Sequence, residues 1–183
     1  MNKIFKTLLI IYTFNLSQAN DNVNYRVSPY GCSQNIESGY LSFLSKENNI
    51  WKIKKITLNG NLIEGPTVIH AIIPISLEEG IVVPCSDGKV LVFSSDLDST
   101  WSFCVNSPKN IAGGTRFKKS NQIALITIDV AKQKKFIETF EINFKLKKTQ
   151  NLQVVEIPWI GGLFLFSESL WLVNSDEAIK IQK

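Results

Sequence analysis

Few residues of this chain have the type and spacing for chemistry. His70 is the single histidine among 183 residues, so any Ser-His-Asp or Cys-His arrangement would have to use it. It stands in Thr67-Val68-Ile69-His70-Ala71-Ile72-Ile73, an apolar run that reads as one strand over 67–75, and no Gly-x-Ser-x-Gly elbow accompanies it. His70 is therefore expected in or beside the core. Asp96 and Asp98 flank Leu97 in a polar turn and could offer oxygens to calcium, but the further acids, glycine and terminal glutamate of a calcium loop are missing. They read as turn acids satisfying backbone groups. Ile111-Ala112-Gly113-Gly114-Thr115 has neither phosphate-loop nor dinucleotide spacing, and Gly161-Gly162 precedes a strand. Cys32, Cys85 and Cys104 form no Cys-x-x-Cys, and one histidine cannot complete a zinc set. The expectation is no catalytic residue, no metal and no cofactor.

The elements that must position these residues are β-strands. Period-two alternation and short apolar runs recur at 40–44, 50–58, 67–75, 80–83, 90–94, 101–105, 122–128, 136–144, 154–157, 163–166, 170–173 and 178–181. Turn chemistry separates them: Asn59-Gly60-Asn61, Ser86-Asp87-Gly88-Lys89, Ser107-Pro108, Gly113-Gly114 and Gly161-Gly162. Asp87-Gly88 is the strongest hairpin signal and suits a type I′ turn, whose two central residues need positive φ. Residues 130–135 read as a helical turn or a hairpin tip. No linker divides the chain, so one domain is expected over 38–183, after a loose polar segment at 20–37.

The N-terminus reads as an export signal. Lys3 and Lys6 precede an apolar run over 7–16, and Ser17-Gln18-Ala19 offers a small-x-small exit. That run is too short for the roughly 20 residues of a membrane span. Cleavage after Ala19 would leave 164 of the 183 residues and, with two lysines gone, take the net charge from +4 to +2. So small a basic excess argues against a nucleic-acid partner. In the secreted or periplasmic setting this implies, one disulfide is expected among the three cysteines. If 81–85, 90–94 and 101–105 are successive antiparallel strands, Cys85 and Cys104 lie two strand spacings of about 4.8 Å apart. That exceeds the roughly 7 Å a disulfide can span, which leaves Cys32 with Cys85 or Cys104.

Two stretches repeat. Gly39-Tyr40-Leu41-Ser42-Phe43-Leu44-Ser45-Lys46-Glu47-Asn48-Asn49-Ile50-Trp51 orders a glycine, an alternating strand, a polar turn and a tryptophan. Asp87-Gly88-Lys89-Val90-Leu91-Val92-Phe93, a polar turn and Trp101 repeat that order 49 residues later, glycine to glycine. A period of roughly 40–50 residues suits four-stranded propeller blades. The pattern resembles the blade repeat of pyrroloquinoline-quinone-like β-propellers, which include outer-membrane assembly factors and quinoprotein dehydrogenases. The resemblance implies that Gly88 and Gly39 open the hairpin between second and third strands. It also implies that Trp101 and Trp51 begin the outer strand and pack between blades. Members have seven or eight blades; this chain has room for four at most and lacks the ring that would enclose a quinone. The expected fold is all-β, with antiparallel four-stranded meanders forming a small or partial β-propeller. A β-sandwich with Trp51 and Trp101 in its core is the alternative.

Trp159, Phe164, Phe166 and Trp171 crowd the C-terminal quarter, for core packing or for an interface, since an incomplete propeller leaves an unpaired edge and an apolar flank. Ser167, Glu168 and the glycine pair interrupt this stretch, so it is no membrane span. The expected function is an exported binding or scaffold protein engaging envelope or extracellular proteins, with a homo-oligomer among the options. The competing class is an exported glycan-active enzyme using loop carboxylates from Asp96, Asp98 and Glu168.

Overall fold

The computed structural model describes residues 39–106, 109–117, 120–166 and 168–181, and the backbone of two short strands before them. The leader expected at 1–19 lies outside the described residues. The first sheet runs β1 (Val27–Ser28), β2 (Cys32–Asn35), β3 (Tyr40–Glu47), β4 (Ile50–Thr57) and β5 (Leu62–Val68), in that order. The second is β6 (Ile75–Ser76), β7 (Gly80–Pro84), β8 (Lys89–Ser94) and β9 (Thr100–Cys104). The third is β10 (Lys109–Arg116), β11 (Gln122–Asp129), β12 (Lys134–Asn143) and β13 (Lys148–Ile157). The last has three strands, β14 (Gly162–Phe166), β15 (Ser169–Val173) and β16 (Ala178–Ile181). Every pairing is antiparallel between sequence neighbours. The fold is all-β, a row of meanders.

Strict alternation along the strands builds three apolar seams. Ile81 and Val83 of β7 join Tyr40, Leu44, Ile53 and Val68 of the first sheet. Val82, between them, faces the other way with Val90 and Val92, against Ile111, Ile123 and Leu125 of the third sheet. Ala124 and Ile126 alternate with those and meet Leu163, Leu170 and Leu172 of the last sheet. A strand's two faces thus serve two seams. β2 touches β6, β6 touches β10 and β10 touches β14, so these strands gather on the inner side of the row, with β1 added beyond β2. Among the described residues, every substantial contact between sheets joins neighbours in the row.

Several expectations change. The strand expected over 67–75 is cut: β5 ends at Val68, Ala71 makes an isolated bridge to Cys85, and the next sheet opens at Ile75 after Pro74. His70 sits in that crossing, exposed, with φ 59°. Its carbonyl accepts a bond from Ser86 N at 2.9 Å, so it is a backbone tie, not a core side chain. Gly113-Gly114 lies inside β10 at a bulge, not in a turn. A Cβ on Gly114 would come within 2.6 Å of Leu125 and 2.9 Å of the Ala124 carbonyl, so the inner strand approaches its neighbour too closely for a side chain. Residues 130–133 are a hairpin tip. The segment expected loose at 20–37 holds β1 and β2.

The Asp87-Gly88 hairpin forms, by a different turn. Gly88 N donates to Cys85 O (3.1 Å) and Cys85 N to Lys89 O (2.8 Å), and only Gly88 has positive φ, at 87°. That is a type I turn closed by a glycine bulge, with Asp87 Oδ1 accepting from Lys89 N.

Candidate protein-interaction surface

Two places in this frame gather polar or apolar groups beyond what a sheet needs. The first is buried. Glu138, on β12, is fully buried. Its Oε1 accepts from Lys109 Nζ (2.8 Å) and Thr127 Oγ1 (2.7 Å), and its Oε2 from the side-chain amides of Asn106 and Asn151 (3.2 Å each). The Lys109 ammonium also lies 4.1 Å from the centre of the Phe136 ring. β10, β11 and β13, and Asn106 two residues past the second sheet, are thereby tied to one carboxylate. With four donors on its two oxygens it is a structural clamp, not an open base.

Beside the clamp, a cleft of about 520 Å³ opens between Asp87-Gly88, Cys104-Val105, Lys109-Asn110 and Val130-Ala131. Cys104 is exposed and Cys85 buried, and both thiols are free. The disulfide expected from Cys32 to one of them falls on a side chain outside the described residues. As expected, β8 separates β7 from β9. Burial, with Asp87 nearby, raises the Cys85 thiol to about 11. At pH 8 in the native chain, iodoacetamide should therefore modify Cys104 and spare Cys85 until the fold is opened, as peptide mapping would show. Equal labelling of both would contradict this placement.

The second place is the outward face of the last sheet. Leu163, Leu170 and Leu172 turn into the third seam, so their neighbours turn away from it. Phe164 and Phe166 are 56% and 54% exposed, and Phe164 pairs across the ladder with half-buried Trp171. Trp159 behaves differently: it is half-buried and packs against the third seam. The indole Nε1 atoms of Trp159 and Trp171 are buried without a hydrogen-bond partner among the described residues.

The repeat residues divide as well. Gly88 opens the hairpin between second and third strands of its sheet, and Trp101 lies on the outermost strand, packing against the second seam. Gly39 likewise lies between β2 and β3, second and third of five strands, with Trp51 on β4, one strand inside the outer edge; but it is β2 that meets β6. Counted from the inner strands β2 and β6, the two repeats are one strand out of phase, although Trp51 still packs against a seam. The loop carboxylates do not make a site either. Asp96 accepts from the Ser94 hydroxyl and from Asp98 N in its own turn, and these bonds hold its carboxyl below the usual carboxylate range. Glu168 is in the β14–β15 turn, two sheets away. No group of three or more His, Cys, Asp or Glu among the described residues could hold a metal. No helix among them is long and apolar enough to cross a membrane.

No protein-family model and no curated protein matches the sequence. Solved structures do match. The lead-soaked crystal structure of BBS1N in complex with ARL6DN superposes with a TM-score of 0.50 at 17% identity, over 81% of this chain and 48% of that one. The mercury-soaked crystal of the same complex gives 0.49 at 14% identity, over 85% and 49%. The chain spans about half the length of the structures it matches. The first match establishes the likeness to a β-propeller domain. The clamp at Glu138 was missed from sequence because its donors are scattered from Asn106 to Asn151.

Proposed function

We propose that the chain is an exported, non-catalytic protein-binding module of propeller-like blades, and that a protein partner covers the outward face of its last sheet. One observation carries this reading. Both faces of the second and third sheets are buried in seams, while Phe164 and Phe166, each more than half exposed, present an aromatic face beside half-buried Trp171. Aromatic faces of this kind are what protein interfaces bury. BBS1N is itself in a complex with ARL6DN, in keeping with such blades serving as binding surfaces. The leader-like N-terminus supports a partner in the envelope or outside the cell, and cleavage is tested by finding Asn20 at the mature N-terminus. The kinship to pyrroloquinoline-quinone-like blades rests on Gly88 and Trp101.

The test is affinity purification of the full chain from its host, beside the variant carrying Phe164→Ser and Phe166→Ser. The variant should keep the wild-type melting curve and retain less than about a tenth of the partner, as expected when central aromatic anchors are lost. Equal retention by both chains, or a partner-free monomer by light scattering, would refute the reading.

A further inference from the structure

The last sheet has three described strands, where the second and third have four and the first five, and its outermost strand, β16, pairs with nothing on its outer side among the described residues. The hairpin bond from Asn174 N to Glu177 O (3.0 Å) sets which groups point where. Counting from it along the β15–β16 register, Ile179 and Ile181 exchange bonds with Leu172 and Leu170, so Ala178 and Lys180 turn their N–H and C=O outward. Alongside runs a groove of about 250 Å³ between the end of β13 and β16, with Val155, Ile157, Ile179 and Ile181 in its walls. An open row of backbone groups beside an apolar groove is the template for an added strand.

Two of the three fuller sheets, the first and the third, carry an acid on the outermost strand, whereas β9 of the second carries none. In the first, Lys54 of β4 meets Glu64 of the outermost strand β5 at 3.3 Å, and Ile63 beside that glutamate packs against a seam. In the third, Lys134 of β12 meets Glu156 of the outermost strand β13 at 2.9 Å, between Val155 and Ile157. β16 likewise bears a lysine, Lys180, which enters no ion pair among the described residues.

We infer that β16 receives one extended strand from the partner protein, with an acidic residue opposite Lys180 and an apolar residue on each side of it entering the groove. This rests on the protein-binding reading and names the partner's chemistry at one edge. Exposed ion pairs add little affinity, so the acid chiefly sets register while backbone bonds and groove contacts hold the strand.

The probe is a synthetic peptide of this chain's own residues 150–158, which carries Val155-Glu156-Ile157, against the same peptide with Glu156→Lys. Added to the full chain, the first should slow amide exchange at Ala178 and Lys180 about tenfold or more. The charge-reversed peptide should not, and in a Lys180→Glu chain the preference should invert. No slowing at these amides, or slowing indifferent to charge, overturns the inference. So do amides already protected before peptide is added, because the edge would then be filled by this chain, or by a second copy if light scattering finds a dimer. A host partner still retained by Lys180→Glu, with the peptide inert, would remove the edge assignment alone and leave the binding module standing.

Discussion

Glu138→Ala is expected to lower the unfolding free energy by about 3–5 kcal/mol, the usual result of removing one partner from a buried charge pair. The Lys109 ammonium would be left almost wholly inside without its carboxylate, and Thr127, Asn106 and Asn151 would each lose an acceptor. Urea denaturation of the full chain measures it, with an unchanged slope showing that the exposed area is the same. Replacing both charges, Glu138→Leu with Lys109→Met, should recover much of the loss, since an apolar pair of similar size carries no desolvation penalty. A loss below about 1 kcal/mol for Glu138→Ala, within the ordinary range for point variants, would mean that the clamp contributes little.

Gly88→Val is the second large effect. At φ 87° a β-branched residue carries about 1–3 kcal/mol of backbone strain. Its Cβ would also stand 2.4 Å from the Lys109 carbonyl oxygen, a contact with backbone that cannot swing aside. Overpacking of that kind adds about 1–3 kcal/mol. Gly60 separates the two contributions. It closes the same kind of turn, with Gly60 N bonded to Thr57 O, at φ 78°, but a Cβ there meets nothing within 4 Å. Gly60→Val should show the strain alone, and equal losses in the two denaturation curves would dismiss the steric part.

Strand content was readable because most strands here are half- or fully-buried surfaces, and alternation over 122–128 or the apolar run over 80–83 leaves little choice. Where neighbouring elements decide, local signals misled. The apolar stretch over 67–75 looked continuous because both ends are buried, yet it crosses from one sheet to the next, with His70 in the crossing. Gly113-Gly114 resembled a turn, although its glycines answer the closeness of Leu125 and Ala124 across the ladder. The Gly–Trp spacing revealed hairpin units but not their phase, because either pair of adjacent hairpins in a meander fits it. On the surface, Phe164, Phe166 and Trp171 were legible as an aromatic excess. Trp159 was not separable from them, since only the third seam shows which way it turns. The Glu138 clamp joins residues from four strands and a connection, and no spacing in the chain announces it.

Because each seam commits side chains only to the sheets on either side, cohesion in this molecule is local and additive, as in a linear array with nearest-neighbour coupling. The interior members are gripped twice and the terminal ones once. Damage at one extremity is therefore handed along with diminishing force, and β16 can loosen or be remodelled while the hairpins around Val82 and Val92 stay fixed.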